Sequence, residues 1–251
     1  MSLFDRAIAR TLPAVPKPVV QRLSRRYIAG ASCKEALDVV RKLNAGGKSA
    51  TIDVLGEDIG NEAQAQAIAE EYRDVLDQIQ RAGLDATISV KLTGLGLELG
   101  LDVCRRNLEA VVRHAADRGT AVTIDMEDSS TTDDTLRLYR DLREAGIDNV
   151  GIVLQARLRR TVADARAVAD LRPKVRVCKG IYLEPPAIAY QDDEAVRASY
   201  METLEVLLAG GCYAEIATHD EWLVDQAKRA VSRHGVGRDG YEFQMLLGVR
   251  R

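Results

Sequence analysis

Val175-Arg176-Val177-Cys178-Lys179-Gly180-Ile181-Tyr182-Leu183-Glu184 begins as a β-prone run and ends in charge. Arg176 and Lys179 stand where the strand gives way to a loop, and Gly180 between them and Tyr182 permits a close backbone approach or a turn through positive φ. Burying an unpaired cation is costly, so a strand that ends this way is set up to meet an anion. Working outward, the same arrangement recurs. Lys91 closes Ala86-Thr87-Ile88-Ser89-Val90-Lys91-Leu92, and Asp125 closes Ala121-Val122-Thr123-Ile124-Asp125-Met126. Gln155, with Arg157 beyond it, closes Asn149-Val150-Gly151-Ile152-Val153-Leu154-Gln155. Thr218 and His219 follow the run from Tyr213, and Gln244 lies in the run Tyr241 to Leu247.

Between these runs lie helical patterns, each closed by glycine. They are predicted at 62–82, 102–118, 131–145, 161–169, 192–209 and 221–233, with Gly83, Gly119, Gly146 and Gly210-Gly211 as stops. Thr51 to Leu55 opens the series as the first strand, and Tyr241 to Leu247 is the seventh. Strands of near-continuous apolar character alternating with helices read as a buried parallel sheet. No G-x-G-x-x-G turn follows the first strand, which removes the dinucleotide-binding signature of an open sheet. Polar residues end nearly every strand instead of gathering at one switch point, and that favours a (β/α)8 TIM-type barrel. About seven strands are present. Residues 1–45 read as N-terminal helices interrupted by Pro16 and Pro18, and 46–251 as the barrel, incomplete at its C-terminal end.

A length of 251 residues suits one such barrel, since the fold runs to about 250. With 46% hydrophobic and 29% charged residues the composition is that of a globular protein with a sizeable core. A net charge of −3 gives no basic footprint for nucleic acid. Cys33, Cys104, Cys178 and Cys212 are scattered, which fits a reducing cytosol and neither a disulfide framework nor a zinc site. There is no apolar run of roughly 18 residues to span a membrane, and no secretory leader.

If the fold is a barrel, its polar strand ends converge on one mouth, where such barrels hold their sites. Arg157, Arg176, Lys179, an amide and the Thr218-His219 pair suit a phosphate-bearing cofactor together with a small anion. No H-E-x-x-H spacing supports a metal, so none is expected. No G-x-S-x-G elbow supports a serine nucleophile. Cys178 alternates with Val177 within a strand and reads as a small hydrophobe. These residues alone leave a flavin and a sugar phosphate both open as ligands.

Several motifs taken in order resemble the bacterial proline dehydrogenases. They are Ser89-Val90-Lys91-Leu92-Thr93-x-Leu95-Gly96, Asp125-Met126-Glu127-Asp128, Gly151-Ile152-Val153-Leu154-Gln155, Arg176-Val177-Cys178-Lys179-Gly180-x-Tyr182-x-Glu184, Ala217-Thr218-His219-Asp220 and Glu242-Phe243-Gln244-Met245-Leu246-x-Gly248. Arg26-Tyr27-Ile28-Ala29-Gly30 and Asp53-x-Leu55-Gly56-Glu57 extend the likeness, which runs from about residue 27 to the last. The resemblance implies a flavoenzyme that oxidises L-proline to Δ1-pyrroline-5-carboxylate, the first step of proline catabolism, with hydride transfer to FAD and electrons passed to a quinone. It also implies a cytoplasmic protein with peripheral contact at the inner membrane face. Carried over, Asp125 and Arg176 are catalytic, and Lys91 and Tyr182 meet the substrate. Asp125, Met126, Gln155, Arg176, Lys179, Gly180, Thr218, His219, Gln244 and Leu246 are cofactor contacts.

In that family a helix after the eighth strand supplies an Arg-Arg pair that clamps the proline carboxylate. This sequence stops before such a helix, and Arg250-Arg251 follow the seventh strand directly. The expectation is a truncated chain of weak or no activity, with exposed strand edges that invite self-association. Leu247 replaces an aromatic residue common in the family. A (β/α) barrel aldolase or sugar-phosphate lyase using Lys91 or Lys179 as a Schiff-base amine is the alternative chemistry, and a non-catalytic interaction surface is the third reading.

Overall fold

The computed structural model describes residues 29–30, 32–54, 56 and 59–249. Met1 to Ile28, Ala31, Leu55, Glu57-Asp58 and Arg250-Arg251 fall outside the described residues, and with them most of the expected N-terminal helical segment and parts of two motifs.

The chain runs α1 (Cys33–Ala45), β1 (Ala50–Asp53), α2 (Glu62–Arg81), β2 (Ala86–Val90), α3 (Leu101–Asp117), β3 (Val122–Ile124), α4 (Thr132–Glu144) and β4 (Val150–Gln155). It continues through α5 (Thr161–Val168), β5 (Lys174–Cys178), α6 (Asp193–Ala209), β6 (Tyr213–Ala217), α7 (Glu221–Arg233) and β7 (Tyr241–Gln244). The seven strands form one sheet in the order β1 to β7, every neighbouring pair parallel. Sequential order with no reversal is the topology of a curling barrel and excludes the doubly wound sheet. Among the described residues no strand pairs β7 with β1.

The predicted helices stand within a residue or two of their expected bounds because the local signals are physical. Asn61 accepts the Gln64 N–H at 3.0 Å to cap α2, and Asp192 accepts from Glu194 and Ala195 at 3.0 and 2.9 Å to cap α6. Gly119 ends α3 with φ 67°, a left-handed stop that costs glycine nothing.

Burial follows the layer logic. β2, β3 and β4 are buried almost throughout, as interior parallel strands require, whereas β1 alternates and β7 is half-buried along its length. Leu76, Ile79, Leu108, Val111, Leu138, Leu204 and Leu207 carry the helices onto the sheet. The long tyrosines satisfy their hydroxyls as they pack: Tyr200 donates to the Val177 carbonyl at 2.9 Å and Tyr72 to that of Val54 at 3.4 Å.

Several strands end earlier than expected: β1 at Asp53, not Leu55, β2 at Val90, not Leu92, β3 at Ile124, not Met126, and β7 at Gln244, not Leu247. The last has a visible cause. The Leu246 N–H leaves the ladder to donate to His219 Nε2 at 2.9 Å, and Leu247 and Gly248 turn.

Candidate active site

Each polar strand end lies at the C-terminal edge of the sheet. Lys91 and Asp125 are the first residues past β2 and β3, and Gln155 and Gln244 are the last of β4 and β7. Lys179 and Gly180 follow β5, while Thr218 and His219 follow β6. Arg176 lies within β5, two residues short of its end.

Arg176 is the hub. Its Nη1 donates to Asp125 Oδ1 at 2.9 Å, and its Nε donates to Gln244 Oε1 at 2.6 Å. Three strands are thereby tied through one guanidinium, whose planar fork allows donation in two directions at once. Gln244 in turn donates from Nε2 to Glu242 Oε1 at 2.6 Å. The Asp125 carboxyl is pushed above the ordinary carboxylate range. Burial is the largest cause, opposed by Arg176, reinforced by Asp53 and opposed again by Lys91 and a hydrogen bond from Ser89. Asp125 is thus an ion-pair partner of Arg176, and the neighbouring loop is capped instead by Asp128, whose Oδ1 accepts from Ser130 N at 2.9 Å.

Lys91 reaches Asp53 Oδ2 at 2.6 Å across the β1–β2 pair. The carboxylate fixes the ammonium at the mouth, only 15% exposed. Gln155 is buried and committed to the backbone of the loop after the preceding strand, β3, donating to Glu127 O at 2.6 Å and Met126 O at 3.3 Å. Glu127, also buried, accepts from Thr93 N at 3.0 Å and Thr93 Oγ1 at 2.5 Å, so the loops after β2 and β3 are locked together. Gly180 has φ 94°, and a Cβ there would stand 2.7 Å from Gln155 Oε1. This position admits only glycine without strain, as its place in the sequence suggested.

A second cluster flanks the first. Asp220 Oδ2 accepts from Lys179 Nζ at 2.6 Å and Arg197 Nε at 2.7 Å, while Oδ1 caps α7 by accepting from Trp222 N at 3.1 Å. Burial raises its carboxyl, but the two cations outweigh burial and hold it well below the usual range. Together with His219, Glu221 and Trp222 these residues line a cavity of about 510 Å³. The Arg197 guanidinium lies 5.6 Å from the centre of the Trp222 ring. Arg157 Nε is buried without a hydrogen-bond partner. Two cations and an indole, offset by the carboxylates of Asp220 and Glu221, give this rim polar and aromatic contacts for a ligand that carries a ring.

Tyr182 is half-buried between the exposed Ile181 and Leu183. Its loop is anchored by Glu184, which accepts from Ser129 N and Ser129 Oγ, both at 2.7 Å. Leu246 is exposed, and it joins the rim through its backbone contact with His219. Cys178 is half-buried, and desolvation pushes its thiol up to about 11, which disfavours the thiolate that a nucleophile needs. Lys91 and Lys179 are each engaged by a carboxylate at 2.6 Å, a poor arrangement for a Schiff-base amine. Among the described residues no group of His, Cys, Asp or Glu is placed to hold a metal.

Asp53, Glu127, Glu184, Arg197, Glu215, Asp220 and Trp222 belong to this constellation without having been singled out by role. Most are partners of the expected residues. An acid has a signal of its own when it interrupts an apolar strand, as Glu215 does between Ala214 and Ile216.

The proline dehydrogenase family matches residues 36–250. A proline dehydrogenase of Deinococcus radiodurans is 36% identical over 99% of this chain and 83% of its own length. Proline dehydrogenase 1 of Bacillus subtilis is 36% identical over 96% of this chain and 80% of its own. In fold, the chain superposes on proline utilization A of Bdellovibrio bacteriovorus with a TM-score of 0.84 at 22% identity, covering 91% of this chain and 29% of that longer one.

Proposed function

The chain belongs to the proline dehydrogenase family, and from that premise we propose that the Arg176–Asp125 pair forms the reacting end of a mouth that takes L-proline on one side and FAD on the other. The family oxidises L-proline to Δ1-pyrroline-5-carboxylate with FAD as cofactor, and the aldolase alternative loses its ground. FAD, when bound, supplies the acceptor for the hydride that leaves the carbon next to the proline nitrogen. The nitrogen gives up its proton, and C–N becomes C=N.

The residues fit that cofactor. It carries a pyrophosphate and two ring systems, and the mouth offers Lys179, Arg197 and the Trp222 ring beside a cavity of about 510 Å³. Lys179, Gly180, Thr218, His219, Leu246, Gln244, Gln155 and Met126 hold FAD in this reading, several of them by shaping backbone. Gln155 fixes the 126–127 carbonyls, and His219 fixes the turn at Leu246. Arg176 supplies a fixed cation for the charge that develops as hydride arrives, and Asp125 orients it. Lys91, held by Asp53, receives the proline carboxylate. Tyr182 walls the substrate side, its loop anchored to Ser129 by Glu184. The observation that carries this reading is the half-buried Arg176, bonded at once to strands β3 and β7 at the barrel mouth.

The electrons pass on to a quinone at a membrane surface in this proposal. No helix among the described residues is long and apolar enough to cross a membrane. The rim nevertheless exposes Ile181, Leu183, Met245 and Leu246, Ile181 by 85%, and such apolar side chains suit a quinone ring or lipid. Proline-dependent reduction of a soluble quinone by the FAD-loaded chain is the test, run beside proline-dependent bleaching of the flavin. Bleaching without quinone reduction rejects the acceptor. Failure of the chain to bind FAD rejects the assignment of the mouth.

A further inference from the structure

Arg176 has a second charged neighbour, and this one is buried on the adjacent strand. Glu215 is the central residue of β6, flanked by the fully buried Ala214 and Ile216, and is itself only 2% exposed. β5 and β6 pair with Arg176 opposite Glu215, so the two side chains leave the same face of the sheet. Glu215 Oε1 takes Lys174 Nζ at 2.8 Å, and Oε2 stands 3.3 Å from Arg176 Nε. That N–H points to Gln244 Oε1 at 2.6 Å, so Oε2 is left as a buried carboxylate oxygen with no hydrogen bond. A buried charge placed for stability alone normally has both oxygens satisfied. Here the hydrogen-bonding capacity is incomplete while the charge stands against the guanidinium.

We propose that Glu215 is a positioning residue for proline oxidation: through Arg176 it fixes the guanidinium and lowers the positive potential that Arg176 presents at the mouth. The inference rests on the reading of Arg176 as the cation of the flavin site. Arg176 faces two carboxylates, Asp125 and Glu215. Lys174 offsets the second, and it also lies 4.0 Å from Glu242 Oε2. The amount of negative charge felt by Arg176 is therefore set by the Lys174–Glu215 pair. A cation near the flavin favours the reduced, more negative form, so a carboxylate behind that cation holds the reduction potential down. Removing Glu215 raises the potential; removing Lys174, which leaves Glu215 uncompensated, lowers it.

The experiment is a dye-equilibrated reductive titration of the FAD-loaded wild type, E215Q, K174M and R176Q. E215Q is expected to favour the reduced flavin about tenfold more than wild type, a rise of about 30 mV for a two-electron couple. K174M is expected to move the potential down by a similar amount. Opposite shifts support the inference. A residue that merely fills the strand predicts lower melting temperatures for both variants with unmoved potentials, and that result overturns it, as do shifts of the same sign. If E215Q does not fold, the sign of the K174M shift decides alone. R176Q separates the two readings. If it leaves the potential unchanged, the placement of Arg176 at the flavin is wrong. If it lowers the potential while E215Q and K174M do nothing, only the role of Glu215 is wrong.

Discussion

Replacing Gly180 by alanine tests the geometry that joins β4, β5 and the loop after β3. The backbone there has φ 94°, which costs an L-residue about 1–2 kcal/mol. The new Cβ would stand 2.7 Å from Gln155 Oε1, 3.1 Å from Gln155 Cβ and 3.4 Å from Arg157 Cβ. An amide end normally swings away from such a contact at little cost. This one is 4% exposed and is held by its Nε2 bonds to Glu127 O and Met126 O. Retreat breaks at least one of those bonds and leaves a buried carbonyl unsatisfied, a further cost of about 1–3 kcal/mol. The expected total is about 2–5 kcal/mol, a large share of a typical domain stability of about 5–15 kcal/mol. Gly119 provides the control. It has φ 67° with nothing within 4 Å of a built Cβ, so G119A carries the backbone cost alone. Urea unfolding of the two variants beside wild type, at unchanged m-value, reads the difference directly. G180A falling further than G119A, with weakened FAD binding, fits the reasoning. Equal losses would show that the Gln155 contact relaxes freely, and the argument for a locked mouth would be refuted.

Asp125→Asn removes a carboxylate whose folded pKa is raised by burial. Such a group favours folding while protonated and loses that contribution as pH rises through its folded pKa, so D125N gains stability relative to wild type toward neutral pH while proline turnover falls by roughly 10²-fold or more; melting curves against pH, read beside steady-state kinetics, check both signs. Asp220→Asn keeps an α7 cap but loses the charge shared by Lys179 and Arg197, and D220A loses the cap as well, for about 1 kcal/mol more; denaturant midpoints and FAD titrations of the pair separate cap from charge. Glu205 is held below its ordinary range chiefly by His234 and also by Arg233, against the opposing effect of burial. Its contribution is present above the usual carboxylate range and is lost as pH falls through the lowered value, so E205Q flattens the acid limb of the melting profile below about pH 4.

Much of the architecture was legible because each local signal has a single physical meaning. Gly83, Gly146 and Gly210-Gly211 after helical runs read as stops, and α2, α4 and α6 end within two residues of them. Gly119 after such a run reads as a stop and is one. The errors fell at strand ends, β1, β2, β3 and β7 among them, where apolar character outlasts the ladder and stops reporting a strand's length. Met245, Leu246 and Leu247 look like the continuation of a buried strand, yet the first two are largely exposed, Leu246 by 73%. A side-chain acceptor, His219, takes the N–H that would have extended the ladder. Nothing in the local sequence announces that contact, because its partners are 27 positions apart.

The site divides along the same line. Lys91, Asp125, Gln155, Arg176 and Gln244 were visible as polar residues at strand ends, and in a parallel sheet the ends of all strands share one edge whatever the details of packing. Their pairing was not visible. Whether Arg176 faces Asp125 or solvent depends on register across three strands, and register is set by the whole barrel. Gln155 shows the consequence. As a lone strand-end amide it reads equally as a ligand contact or as a satisfied loop, and the structure commits its Nε2 to the loop carbonyls while its Oε1 lies against the Gly180 backbone. The two readings therefore meet in one residue, which shapes the mouth by holding backbone. Glu215 marks the opposite limit. An acid inside an apolar strand is conspicuous in sequence, but its meaning arises only when β5 supplies Arg176 on one side and Lys174 on the other. Position along the chain identifies which residues are costly to place. Only the fold shows what each is placed against, and for this mouth the decisive pairings are Arg176 with Asp125 and Arg176 with Glu215.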